Sequence, residues 1–248
     1  MSIIREFIVD SRDRISGTNE AFTITIPESL KCEKFQVKHV SIPNTFYNIN
    51  SHNKYIDIIE PAGAGTEVSI ALTEGFYLID TLDTAITAAL NGAGLTGTYD
   101  FTYNETIEKI IISTTNAVIF NILWNTGTHS TTNMKNLLGF VGTSDSTGAT
   151  TYTGENLYNL GYESYILIKS SSIGQKRNIF MSSVVAMVQT TNSHGEYIFL
   201  RDIVLAPECI VADGYKTSLS FNLTFYNDLT VDLNGIPWSM ILKLYCTT

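Results

Sequence analysis

The feature that most constrains this chain is an alternation of apolar and polar residues with a period of two. The clearest run is Leu219, Phe221, Leu223 and Phe225, separated by Ser, Asn and Thr. The same spacing recurs in four other runs: Phe22–Ile26, Val68–Leu72, Tyr99–Tyr103 and Trp238–Cys246. Successive side chains of a β-strand point to opposite faces, so each run predicts a strand with one apolar face, as in antiparallel sheets.

Other apolar runs are continuous and predict strands that are covered on both sides: Lys109–Ser113, Ala117–Ile122, Tyr165–Ile168 and Val184–Val188. The connections between runs are rich in Gly, Asn, Thr and Ser. Many short strands joined by such turns predict an all-β fold, a single jelly-roll β-sandwich. A length of 248 residues with 16% charged residues suits one jelly-roll domain over residues 1–248, with an extended N-terminal arm over residues 1–20.

One segment breaks the period of two. Apolar residues recur with helical spacing from Leu78 to Leu90, which predicts a short inserted α-helix over about residues 80–91. Asp80 or Thr81 is the expected N-cap, and Asn91-Gly92 is the expected end of the helix.

The dipeptide Asn234-Gly235 predicts a tight hairpin turn, because both residues tolerate a positive φ. Together with the run at 219–225, it predicts a terminal hairpin at the centre of the sandwich. Asn222 and Thr224 are then expected on the face opposite Phe221, where they tolerate substitution if that face is solvated.

The sequence predicts neither a catalytic site nor a cofactor. Residues Gly92–Gly97 fit GxGxxG, but they follow a helix and precede a strand, the reverse of a dinucleotide motif. The histidines and cysteines are scattered and form no ligand spacing: His39, His52, His129, His194, Cys32, Cys209 and Cys246. We therefore expect a protein that is not an enzyme and holds no metal.

The charge argues against direct binding of nucleic acid. The formal net charge is −9, and the densest basic groups are Lys31/Lys34/Lys38 and Lys176-Arg177. Phosphate binding needs a clustered positive surface, whereas a solvated strand or turn explains these groups. No uncharged apolar run approaches the ~20 residues of a membrane span.

Several motifs, taken in order, resemble the penton (minor capsid) proteins of virophages and related polinton-like viruses. They are Asp10–Arg14 with Ser16-Gly17, Phe22–Pro27, Ser41–Ile49 with Asn53, Glu74–Asp80, Leu137–Phe140, Phe221–Gly235 and Trp238–Leu244. Each motif is short, and their order along almost the whole chain carries the resemblance.

The resemblance implies a structural virion protein whose five copies close each fivefold vertex of an icosahedral capsid. Its partners would be other copies of itself and the major capsid protein, which forms double jelly-roll trimers. The expected location is the capsid vertex, after assembly in the host cell cytoplasm. The resemblance also suggests a subunit-interface role for Asp10, Arg12 and Arg14, which an extended segment would place on one face. A solvated charged strand end explains the same three residues.

Two alternatives share this fold class. One is a carbohydrate- or receptor-binding jelly roll, such as a lectin-like or fibre-head domain. The other is a β-sandwich hydrolase, which would need carboxylates converging in a cleft. Native mass and a glycan array separate the first from a penton, and the arrangement of carboxylates separates the second.

Overall fold

The computed structural model describes residues 2–161, 164–173, 183–201, 209–210, 215–226 and 228–247. Fifteen strands follow one another along these residues: β1 (Ser2–Asp10), β2 (Ser16–Gly17), β3 (Ala21–Pro43), β4 (Tyr55–Glu60), β5 (Thr66–Ala71), β6 (Tyr99–Asn104), β7 (Lys109–Thr114), β8 (Asn121–Ile122), β9 (Thr151–Thr153), β10 (Tyr165–Lys169), β11 (Val184–Gln189), β12 (Tyr197–Arg201), β13 (Cys209–Ile210), β14 (Tyr215–Thr224) and β15 (Ser239–Thr247). A helix, α1 (Ile79–Gly92), lies between β5 and β6, and a short 3-10 helix covers Ser11–Asp13.

The predicted fold class, an all-β jelly-roll sandwich with one inserted helix, is confirmed by these antiparallel sheets. The chain divides into two compact units. The split unit comprises Met1–Phe46 and Glu163–Thr248, and the inserted unit comprises Tyr47–Tyr162. The single domain over 1–248 stays a prediction. The segment expected to form an N-terminal arm contains β1, which pairs with β15 along its whole length.

The split unit is built on a nine-stranded sheet in the order β1-β15-β3-β14-β10-β11, with β2, β12 and β13 also paired to β3. The 23-residue strand β3 is its centre. The buried positions of β3 are even-numbered at Phe22 and Ile24, odd-numbered at Phe35 and Val37, and even-numbered again at Val40. The register against β15 shifts at the same places, since one extra residue in a bulge moves the next side chains to the other face.

Aromatic side chains fill the centre of this unit. The Phe22 ring lies 5.9 Å from that of Phe221 and 5.6 Å from that of Trp238. All three are nearly inaccessible to solvent, as are Leu219 and Leu223. The period-two run at 219–225 therefore predicted the buried face of β14 correctly.

The predicted terminal hairpin is wrong, although its turn is right. Asn234 and Gly235 both have a positive φ, and the Ile236 N–H donates to the Leu233 carbonyl across the turn. However, β14 and β15 lie on opposite sides of β3 and do not pair with each other. The expectation of a solvated face is also wrong at Thr224, which is buried where β14 pairs with β10.

The inserted unit contains two three-stranded sheets, β5-β4-β8 and β6-β7-β9, together with α1. Its core is formed by buried residues that all come from within the unit: Ile49, Ile56, Ile58, Ile70, Leu72, Leu82, Ile86, Leu90, Tyr99, Phe101, Ile110, Ile112, Phe120, Ile122, Trp124, Met134, Leu138 and Phe140. Only Asn121–Ile122 of the strand expected over 117–122 forms, because Ala117 has a positive φ and turns the chain.

Helix α1 begins slightly before the predicted start and ends where predicted. Its N-cap is Leu78 and neither Asp80 nor Thr81, yet the Thr81 hydroxyl accepts a hydrogen bond from the Leu78 N–H at 3.0 Å. That bond satisfies one of the donors left open at a helix start. The buried face carries Leu82, Ile86 and Leu90, as the helical spacing predicted.

Candidate interaction surface

A group of exposed apolar side chains in the described part of the split unit lies on the outward side of β1, β15, β3 and β12. We call it the exposed sheet face and define it by Ile4, Ile8, Ile241, Phe199 and Tyr197. Register places Ile8 and Ile241 side by side, because Ile8 pairs with Ile241 and Ile241 pairs with His39 of β3. On the next rung Phe199 pairs with Ser41. Ile4 pairs with Tyr245 and is separated from Ile8 by the pair of Glu6 with Lys243.

The exposed sheet face is open to solvent while the other side of the same strands forms core. Ile8 is 74% exposed and Phe199 58%, whereas Val9, Met240 and Ile198 are almost completely buried. The rings of Tyr197 and Phe199 are stacked, with centroids 6.1 Å apart. Ile8, Ile241 and Phe199 line a shallow groove with His39 and Ser41.

Asp10 and Arg12 form an ion pair at the border of this face. The buried Asp10 carboxylate accepts from Arg12 Nε at 2.9 Å and from Arg12 Nη2 at 2.5 Å. The Arg12 hydrogen bond is the main cause that lowers the pKa of Asp10, and Asp10 in turn raises the pKa of Arg12. The Arg12 side chain nevertheless remains 72% exposed. The two residues line a second, more polar groove with Tyr197 and Ser239.

The extended conformation predicted for residues 10–14 is wrong, since Ser11–Asp13 form a 3-10 helix. Its physical cause is Asp10, whose carboxylate accepts from the Arg12 backbone N–H at 2.9 Å and so caps the helix. Asp10 and Arg12 are brought together by this turn. Arg14 is not in their pair.

Arg14 instead secures the following loop. Its Nη1 donates to the Ser11 carbonyl at 2.7 Å and to Asn19 Oδ1 at 2.9 Å. The Asn19 amide donates in turn to the Gly235 carbonyl at 2.7 Å, and Trp238 Nε1 donates to the Asn19 carbonyl at 2.7 Å. The N-terminal motif therefore holds the loop before β3 against the Asn-Gly turn of the same chain.

The inserted unit holds a buried carboxylate that sequence reasoning missed. Asp57 is completely buried and accepts from the His129 backbone N–H at 2.7 Å, while His129 Nδ1 lies 2.9 Å from Asp57 Oδ1. The His129 ring stacks on Tyr55 at 3.7 Å. No local signal pairs Asp57 with His129, because 72 positions separate them. His129 lies in a loop, as expected, but it is the partner of the buried Asp57 carboxyl group.

Glu60, at the end of β4, is a second anchor of the inserted unit. It accepts from the Gly97 N–H at 3.0 Å, from the Tyr99 hydroxyl at 2.8 Å and from the Thr96 hydroxyl. Burial alone would raise the pKa of Glu60, but the bonds from Thr96, Tyr99 and Gly97 outweigh it and lower that pKa. Burial, and then the bond to Glu60, raise the pKa of Tyr99.

The remaining expectations from the sequence concern basic groups, metal sites and membrane-spanning segments. Lys31 and Lys34 are exposed on β3, and Lys176-Arg177 lie outside the described residues. Across the part of the chain that the structure describes, no three His, Cys, Asp or Glu side chains converge as a metal site. Among the same residues, no helix is long and apolar enough to cross a membrane.

Among known proteins, this chain is similar in fold to a solved structure. No protein-family model matches the chain, and no curated protein matches its sequence. Among solved structures, the crystal structure of the mavirus penton protein is similar, with a TM-score of 0.52 and 11% sequence identity over 100% of both chains. The chain therefore has a penton-like fold, and at this identity the likeness concerns the fold alone.

Proposed function

We propose that this chain is a structural virion protein, the penton that closes the fivefold vertices of an icosahedral capsid. The observation that carries the proposal is a fold similar to that of the mavirus penton protein over the full length of both chains. It is supported by the sequence motifs, whose order resembles that of virophage pentons independently of any structural comparison.

The proposed assembly is a ring of five copies, seated beside trimers of a double jelly-roll major capsid protein. A closed ring needs a heterologous interface, in which one surface of a subunit meets a different surface of the next. A standard stable interface buries about 1,600 Å² in total. The low charged fraction of 16% suits a chain that buries surface against neighbours.

The direct test is the native mass of the purified chain, with negative-stain imaging of the same sample. We expect a species of five times the 27.4 kDa chain mass and fivefold rings. Co-expression with the major capsid protein of the same genome should place these rings at the vertices of particles. A monomer or trimer at high concentration, together with clear hits on a glycan array, would instead favour the carbohydrate-binding alternative.

A subunit-interface role for Asp10, Arg12 and Arg14 remains part of this proposal, and the support for the three residues differs. Arg12 keeps a largely exposed guanidinium beside Tyr197, and an exposed Arg can bind a carboxylate of a neighbour. Arg14 already donates to Ser11 and Asn19 of its own chain. Asp10 orients Arg12.

Single alanine substitutions separate these roles. Arg12→Ala should weaken the ring while the monomer loses at most ~1 kcal/mol, since the Arg12 side chain is largely exposed and Asp10 keeps its hydrogen bond from the backbone N–H of residue 12. Arg14→Ala should lower monomer stability by about 1 kcal/mol, because it removes hydrogen bonds within the chain. Native mass and urea unfolding measure the two effects. Rings of normal stability in Arg12→Ala would refute its interface role.

A further inference from the structure

Four of the nine exposed large apolar residues described in the split unit belong to the exposed sheet face. Ile8 is 74% exposed, Phe199 58%, Ile4 52% and Tyr197 42%. Single exposed apolar residues are common on soluble proteins, but a contiguous group on neighbouring strands marks an interaction surface. Ile8, Phe199 and Tyr197 are contiguous, because Ile8 and Phe199 line one groove and Phe199 stacks on Tyr197, whereas Glu6 lies between Ile4 and Ile8 on β1.

The fold of the chain does not require apolar residues at these positions. The opposite side of the same strands supplies the core through Val9, Met240 and Ile198. Small polar residues are accommodated on the outward side, where Ser239 and Ser41 occupy the rung beside Ile8. An Ile exposed to 74% therefore contributes almost nothing to the stability of an isolated chain, since the apolar area it buries is small.

The strand at the border of this face is also an edge strand. Among the described residues, β1 pairs on one side, with β15, so the other edge of this nine-residue strand carries backbone groups that no described strand pairs. Edge strands are commonly blunted by proline, short length or charged side chains. Strand β1 is nine residues long and has no proline, and its charged residues Arg5 and Glu6 lie between Ile4 and Ile8.

We infer that the exposed sheet face is covered by a second copy of this chain. Ile8 and Phe199 are the central anchors, and Arg12 lies at the rim. This inference deepens the proposed function and rests on it, because the partner is the neighbouring copy in the ring.

Charge favours a second copy as the occupant. The residues of the inserted unit include three Lys or Arg and 11 Asp or Glu, a net charge of −8, and the rest of the chain has 12 and 13, a net charge of −1. Two split units can therefore meet without strong like-charge repulsion. The exposed Arg12 at the rim can bind a carboxylate of the neighbouring copy.

The available area is consistent with this partner. From their exposed fractions, Ile4, Ile8, Tyr197 and Phe199 offer roughly 400 Å² of mostly apolar surface, about half of the ~800 Å² that one partner buries in a standard interface. A polar rim supplies the remainder in interfaces of this kind. The contact is heterologous, so the exposed sheet face meets a different surface of the neighbour.

The test compares Ile8→Asp and Phe199→Asp with Ile107→Asp, a matched control on the inserted unit whose side chain is 45% exposed. Native mass is measured over a range of concentrations, and melting is followed in each variant. We expect the first two variants to raise the concentration needed for rings at least tenfold, with unchanged melting of the monomer. The control should form rings like the unsubstituted chain.

A photo-crosslinking residue at position 199, in the otherwise unsubstituted ring, provides a readout that does not depend on the folding of a variant. We expect crosslinks between copies. Normal rings in both Asp variants, or crosslinks confined to one chain, would overturn the inference and leave the penton proposal standing. Normal rings that fail to enter particles would also overturn it, because the major capsid protein would then be the occupant. An unsubstituted chain that stays monomeric would refute both proposals.

Discussion

The split unit and the inserted unit differ in how they combine charge with apolar surface. The inserted unit carries −8 of the total charge of −9, and its buried polar groups, Asp57 and Glu60, hold its own loops. The split unit is close to neutral and leaves a contiguous apolar face open to solvent. A strongly charged surface keeps a protein soluble and apart from its copies, while a neutral apolar surface favours association. The two units are thus suited to different tasks.

The largest expected effect concerns the inserted unit produced alone, without the split unit. Residues 47–162 should fold alone, because their buried core comes entirely from within the segment. The ends are also close, since the Asn48 amide donates to the Leu160 carbonyl at 3.2 Å. We expect a cooperative thermal transition and β-type circular dichroism from the excised segment. Phe101→Ala in that segment should abolish the transition, and an excised segment without any transition would show that the two units fold as one.

The next largest effect concerns the core of the split unit. Phe221→Ala should lower the free energy of unfolding by about 3–5 kcal/mol, because it removes a buried ring packed against Phe22. Asn222→Ala is the matched control on the same strand. Its Oδ1 has no hydrogen-bond partner among the described residues, so the loss should stay below about 1 kcal/mol. Urea unfolding measures both, and equal losses would contradict the assigned faces of β14.

In the inserted unit, a buried polar residue, Asp57, is expected to be the most sensitive to substitution after the core. Asp57→Ala should lower the free energy of unfolding by about 1–3 kcal/mol, because it leaves the part-buried His129 N–H without its acceptor. Asp57→Asn keeps one carbonyl oxygen and should lose less. Hydrogen exchange should report the change in the loop around His129 and not in the sheet of the split unit. Exchange that rises equally throughout the chain would contradict independent units.

The smallest expected effect is the pH dependence of Glu60. Its pKa is lowered in the folded chain, so the unfolded chain binds the proton more readily. The stabilisation is then complete above the unfolded pKa of about 4.3 and is lost as pH falls through the folded value. Between about pH 5 and pH 3, Glu60→Gln should therefore lose stability less steeply than the unsubstituted chain, with a difference below about 1 kcal/mol. Urea unfolding at several pH values measures this difference. If the stability of both proteins fell equally with pH, the lowered pKa of Glu60 would be contradicted.

Local patterns in the sequence determined the class of fold and most of its strands. The runs at 22–26, 99–103 and 219–225 became β3, β6 and β14 with the predicted buried faces, and the helical spacing after Leu78 became α1. These predictions succeeded because burial on one face fixes the period of side chains along a strand or helix. The positive φ of Asn234 and Gly235 followed from residue type in the same way.

Tertiary structure alone decided which strands are neighbours and which polar groups meet. The turn at Asn234-Gly235 does not join paired strands, because the 23-residue β3 lies between β14 and β15. Asp57 meets His129 across 72 positions. The face that carries Ile8 and Phe199 is assembled from strands at both ends of the split unit. A period of two shows which side of a strand is buried. Strand pairing depends instead on contacts between residues far apart in the chain, and these contacts produce no periodic pattern in the sequence.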